Sequence, residues 1–186
     1  MNKRVLAIGL ALLAAGCFLF SAFSKRWLYN SADEDEFGFG LRSAWACGEY
    51  REGRECMEWG PSQYEELFYR AGVVEGKQKQ TSAAFVPCGW VTFVGCLLAG
   101  ISLLAGAGLA LGKKQPELPI APTTTAVLAI AVSLITGCIY VATKPGPGGV
   151  VGVGITFIVF GAGVVLGIAS APMLAKINRP PDREDW

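Results

Sequence analysis

Residues 85–111 read FVPCGWVTFVGCLLAGISLLAGAGLAL, an apolar run without one Asp, Glu, Lys or Arg. A bilayer hydrocarbon core is about 30 Å thick and needs about 20 helical residues at about 1.5 Å each, so this stretch is long enough to cross it. Three further uncharged stretches reach that length: Val5 to Phe23, Ala121 to Thr143, and Val150 to Ala175. The whole chain of 186 residues is 52% hydrophobic and 17% charged, with 24 Gly and a mean hydropathy of +0.42, which is too apolar for an ordinary soluble domain. The expected fold is therefore a mainly α membrane protein, a four-transmembrane-helix bundle.

The spans divide the chain into a first helix (1–24), a long loop (25–84), a second helix (85–112), a short connection (113–120), a third helix (121–143), a turn KPGPGG (144–149), a fourth helix (150–175) and a tail (176–186). Lys3 and Arg4, then Lys113 and Lys114, then Lys176, Arg179 and Arg183 all flank the same side of such a bundle. By the positive-inside rule that side is cytoplasmic, in a plasma membrane or a bacterial inner membrane, with both termini inside and the long loop outside. The loop itself votes weakly, since loops of about sixty residues largely escape the rule. The chain's overall balance of 16 basic and 15 acidic residues, with no basic run, sets nucleic acid aside as a partner.

The first segment admits a second reading. MNKRVLAIGLALLAAGCF combines a basic start, an apolar centre and small residues ending at Cys17, the pattern of a bacterial lipoprotein signal whose cleavage leaves a lipid-anchored cysteine. Ala14 and Phe18 suit such a site poorly, and the apolar run continues through FLFSAF, so the expectation is an uncleaved helix.

The long loop reads as a small domain. Aromatics between turn-forming Gly, Asn and Asp positions predict short strands around Lys25 to Tyr29, Phe39 to Cys47 and Glu55 to Trp59. An antiparallel sheet resting on the outer helix ends would then bury Trp27, Phe39, Trp45 and Trp59, with Leu41 among the packing residues. Ser62 and Glu65 form a capping box ahead of Leu67 and Phe68, which predicts a short helix over 62–71. The acids from Asp33 to Glu36 lack the alternating spacing of a calcium loop and read as a solvated turn.

Within LRSAWACGEYREGRECMEW (41–59), Cys47 and Cys56 enclose a short loop. A bridge there contributes about 2 to 3 kcal/mol on the chain-entropy model and suits an oxidising outer compartment. A redox thiol pair ordinarily uses C-x-x-C spacing, and a metal site would lack histidine partners. The other cysteines, Cys17, Cys88, Cys96 and Cys138, fall in apolar runs.

The histidine count is zero, which removes Ser-His-Asp triads, Cys-His dyads and histidine metal motifs together. The four spans contain no Asp, Glu, Lys or Arg, which disfavours proton-coupled transport and intramembrane catalysis. The expectation is a protein without catalytic residues, metal or cofactor. Small residues recur at helix-packing distance in Gly95 with Ala99, Gly108 with Gly112, Gly148 with Gly152, and Gly163 with Gly167.

Four spans, a large first outer loop, and the order Trp27, Gly40-Leu41, Trp45, Cys47, Cys56 resemble the claudin and peripheral-myelin-protein-like superfamily. Two positions depart from that family's pattern: Arg42 stands where its tryptophan follows Gly-Leu, and Trp45 precedes Cys47 by two residues rather than three. The resemblance implies adhesion, barrier formation or an auxiliary role beside a channel or receptor. The functional expectation is thus an interaction module, with a protein partner or a second copy in the membrane and lipid around it. Its expected contact points are Tyr50 to Gly53 and Asp33 to Phe37. The alternative is a small channel or transporter, for which Thr92, Ser102, Ser133, Thr136 and Thr156 supply the available polar positions.

Overall fold

Each apolar run forms one helix: α1 (Lys3–Phe23), α2 (Phe85–Leu111), α3 (Pro122–Ala142) and α4 (Ile155–Ile177). The computed structural model describes residues 3–32, 35–50, 53–64, 81–112, 122–145 and 151–178. All four helices are long and apolar enough to cross a membrane, and the protein is a multi-pass membrane protein. Helix α1 packs against α2 and α4, while α2 packs against α3, with a thinner α3–α4 contact closing the ring.

Close approach comes from small side chains. Helix α1 buries Ala7, Ala11, Ala14, Phe18 and Ser21, a heptad-like stripe that is mostly alanine, and its neighbours pack on that stripe. The outward faces are as apolar as the buried ones. Leu13, Leu128, Ile135 and Val165 are each more than 60% exposed, which matches a hydrocarbon solvent and would be costly in water.

The glycine pairs divide. Gly95 packs on Ser133 with Ala99 fully buried nearby, Gly163 packs on Cys17, and Gly167 meets Ile130 and Phe18. Gly108 instead has open space beside it, and Gly112 lies beyond α2, where its N–H caps the Gly108 carbonyl at 3.0 Å. That pair does not join helices. Gly148 lies outside the described residues, and Gly152 belongs to a strand, because the fourth helix begins at Ile155 rather than at Val150.

The loop folds as β1 (Leu28–Ala32), β2 (Asp35–Phe39), β3 (Ala44–Tyr50) and β4 (Gly53–Trp59), which form an antiparallel meander. Register pairs Leu28 with Phe39, Phe39 with Ala44, and Ala44 with Trp59. A fifth strand, β5 (Gly152–Val153), joins the β1 edge from the segment expected to begin the fourth helix. Gly154 makes this possible. Its N–H donates to the Trp27 carbonyl at 2.8 Å, and a Cβ there would overlap the Arg26 carbonyl. After β4 comes a single 3-10 turn, Pro61–Gln63; the rest of the helix expected over 62–71 lies outside the described residues from residue 65 onward.

Sheet and helices share one core. Leu28, Phe37, Phe39 and Ala44 turn one face of the sheet onto the helix ends and are buried there. Trp27 is fully buried between the two layers, with ring centroids 5.1 Å from Phe160, 6.0 Å from Phe157 and 6.1 Å from Tyr140. Its indole N–H donates to the Ser21 carbonyl at 2.6 Å. Tyr140 stacks on Phe85 at 4.4 Å and donates its hydroxyl to the Gly40 carbonyl at 2.7 Å. The Trp27 indole and the Tyr140 hydroxyl are thereby matched as they leave water, while the buried Ser21 hydroxyl has no partner among the described residues.

Candidate interaction surface on the sheet

Side chains alternate along a strand, so the residues between the buried ones face away from the helices. Tyr29, Gly38, Trp45 and Glu58 are successive cross-strand neighbours on that far face. Gly38 leaves room for the Trp45 indole, since a Cβ there would lie 2.8 Å from Nε1. The Tyr29 and Trp45 rings stand 6.0 Å apart, and the Arg26 guanidinium caps both, at 5.6 Å and 6.0 Å from their centroids. The Trp45 indole N–H donates to the Lys25 carbonyl at 2.8 Å. These bonds hold the cluster in one arrangement.

Beside it, the Lys25 ammonium pairs with Glu58 at 2.5 Å, with both side chains about half exposed. That hydrogen bond, followed by one from Ser43, holds the Glu58 carboxyl below its ordinary value. Cys47 and Cys56 are directly opposed across β3 and β4 and form a disulfide, with Cα atoms 4.1 Å apart. Two strands that would otherwise be held by one hairpin ladder become a single covalent unit, on the face that carries Trp45.

The expected packing residues separate accordingly. Trp27 and Leu41 are buried, and Trp59 packs partly against the core, on the helix side. Trp45 does not join them. With Ala44 and Ala46 turned inward, strand period two places Trp45 and Cys47 on the far face. Sequence reading missed Arg26, Tyr29 and Gly38, although the alternation of Ala44, Trp45, Ala46 and Cys47 carries that signal. Of the expected contact tips, residues 33, 34, 51 and 52 lie outside the described residues, while Tyr50 pairs with Gly53 and Phe37 is buried.

Arg42 extends along the bundle instead of across the sheet. Its guanidinium lies 4.6 Å from the Phe93 ring centroid and 5.8 Å from that of Phe23. Near the sheet, Tyr64 is buried against Phe39 and Phe85, which pushes its phenol above the ordinary range. Among the described residues no three His, Cys, Asp or Glu side chains are grouped to hold a metal ion.

Four of the five polar positions weighed for a channel are engaged with other hydroxyls or with backbone. Thr92 and Thr136 hydroxyls meet at 2.8 Å, Ser24 and Thr156 at 2.5 Å, and Ser133 donates to the Ala129 carbonyl at 2.7 Å. Ser102 is buried. Cys17 lies within α1, and Cys17, Cys88, Cys96 and Cys138 are free thiols.

No protein-family model matches the chain, and no curated protein sequence matches it significantly.

Proposed function

We propose that this membrane protein acts as an adhesion, interaction or auxiliary-subunit module, binding another protein through the far face of its disulfide-stapled sheet, on the extracellular side. The observation that carries this reading is the Arg26, Tyr29 and Trp45 cluster. Its three residues are spared from packing the sheet on the helices, and they are the types that dominate the energetics of protein interfaces. Their conformation is set beforehand by the Lys25 carbonyl, the Gly38 gap and the neighbouring bridge, which reduces the ordering cost of association. A rigid, non-catalytic recognition face also agrees with a sequence that has no histidine.

The claudin and peripheral-myelin-protein-like resemblance belongs to the same reading. Its support is positional: Trp27 and Gly40-Leu41 lie at the junction that docks the sheet, where Trp27 and Leu41 are buried and the Gly40 carbonyl accepts from Tyr140. The channel alternative has less support, since the Thr92, Thr136, Thr156 and Ser133 hydroxyls are spent on interhelical or backbone bonds.

The test is site-specific photocrosslinking in native membranes from the exposed far-face position Glu58, the cross-strand neighbour of Trp45, read by mass spectrometry. A discrete protein adduct that disappears in an Arg26→Glu, Tyr29→Ala variant is expected. Adducts indifferent to that double change, or lipid adducts alone, would overturn the reading.

A further inference from the structure

A second surface lies in the bundle, independent of the sheet. Between α2 and α3 runs an outward-facing groove of about 560 Å³, flanked by Trp90, Val94 and Leu98 on one side and Thr125, Leu128 and Val132 on the other. Its cause is local. The Ser133 hydroxyl occupies the space where a Gly95 side chain would be, so the two helices meet closely there. The larger residues on either side then stand above a floor of Gly95 and Ala129. The lining is almost wholly apolar, and its walls are open, with Leu128 63% and Trp90 44% exposed.

The extent of the groove indicates what fills it. Thr92 bonds Thr136, Gly95 packs on Ser133, and Gly106 packs on Thr123, a register that sets Thr125 level with about Leu103. From Trp90 to that level is about 13 residues, or about 20 Å at about 1.5 Å each. A helix crossing the bilayer would need contact over about 30 Å, whereas one leaflet's acyl chain occupies about 15 Å. The groove starts near the sheet end and stops just past the bilayer middle.

Beside its sheet end, one ring away from the lining, stands a cation. Arg42 rests on Phe93 and Phe23, and Phe93 makes an edge contact with Trp90 at 5.9 Å, the residue that opens the groove. Arg42 makes no ion pair within 4 Å with a described carboxylate; its guanidinium lies against the two rings and feels Glu58 only at longer range. Phe23 and Trp90 are exposed on the lipid side, forming an aromatic girdle at headgroup depth. An apolar furrow a little longer than one leaflet, with a cation one ring beyond the Trp90 that opens it, is complementary to a single amphiphile whose headgroup reaches past that residue.

We propose that the α2–α3 groove is a site for an anionic phospholipid of the sheet-side leaflet, one acyl chain lying between Trp90 and Thr125 and the phosphate pairing with Arg42. The site orients the bundle against its lipid and couples the sheet, through Arg42, to headgroup charge.

Native mass spectrometry of the full chain, titrated with phosphatidylglycerol and separately with phosphatidylcholine, tests this. Arg42→Gln should weaken phosphatidylglycerol retention about fivefold and leave phosphatidylcholine unchanged. Val132→Trp, at an exposed wall position, should displace both lipids by filling the furrow, and Leu128→Trp repeats the test should Val132→Trp unfold in detergent. Unchanged retention in these variants would overturn the site. So would loss from Arg42→Gln without loss from either tryptophan variant, which would mean a surface charge effect, or release of a bound second copy or other protein in place of lipid.

Discussion

Trp27 concentrates more of the fold than any other side chain at the junction, because it contacts α3, α4 and the α1 backbone at once. Trp27→Ala should cost about 3 to 5 kcal/mol, the range for removing a large buried aromatic, measured as a drop in thermal midpoint in mild detergent. Tyr140→Phe separates packing from hydrogen bonding at the same place. The ring stack on Phe85 persists, while the Gly40 carbonyl loses its donor, so a smaller loss of about 1 kcal/mol is expected in the same melt. Equal losses in the two variants would mean that the hydroxyl, not the ring, holds the sheet down.

The β3–β4 hairpin joins local bonds to the stability of the element. Its bridge closes a loop of sequence separation 9, and replacing Cys47 and Cys56 by Ser should remove about 2 to 3 kcal/mol, confined to the sheet. Hydrogen exchange should quicken in residues 44–59 while helical circular dichroism is retained; loss of the helices as well would contradict this division. The Lys25–Glu58 pair gives the hairpin an acid sensitivity. Because folding holds the Glu58 carboxyl below its ordinary 4.5, its contribution is complete above that value and is lost as pH falls through the lower folded midpoint. A carboxyl NMR titration should therefore show a Glu58 midpoint below 4.5, moving back toward it in Lys25→Met.

For the whole molecule, four antiparallel helices put the described residues Lys3 and Asn178 at the end of the bundle opposite the sheet. In a background lacking the four free cysteines, Cys introduced at Lys3 and at Asn178 should react with an impermeant maleimide from one side of sealed vesicles, and Cys at Glu55 from the other. Labelling of all three from one side would require a different number of crossings. The bundle ends are tied as well as aligned: Arg4 donates to the Ala110 carbonyl at the last turn of α2, a favourable place for a cation, and Asn178 donates to the Gly106 carbonyl at 3.0 Å. Sheet and bundle thus share one core at the Trp27 junction, with the proposed lipid groove on one flank and the proposed recognition face at the tip.

Four membrane-crossing helices were determined by the sequence alone, because hydrocarbon imposes a length and an absence of charge that any window of the chain discloses. The small sheet after the first helix was legible for a related reason, since aromatic residues recur between turn formers. Cys47 and Cys56 were legible from their spacing. What only the tertiary structure decided is which face each of those residues occupies. Trp45 faces away because Ala44 and Ala46 face in, a parity that strand register sets and that a list of aromatics does not contain. Likewise Gly152 and Gly154 belong to a strand edge and not to a helix seam, because the Trp27 carbonyl, far away in sequence, offers the Gly154 N–H a partner. Spacing records how far apart residues stand along the chain; contact across more than a hundred positions depends on close packing, which is settled only when all the neighbours are in place.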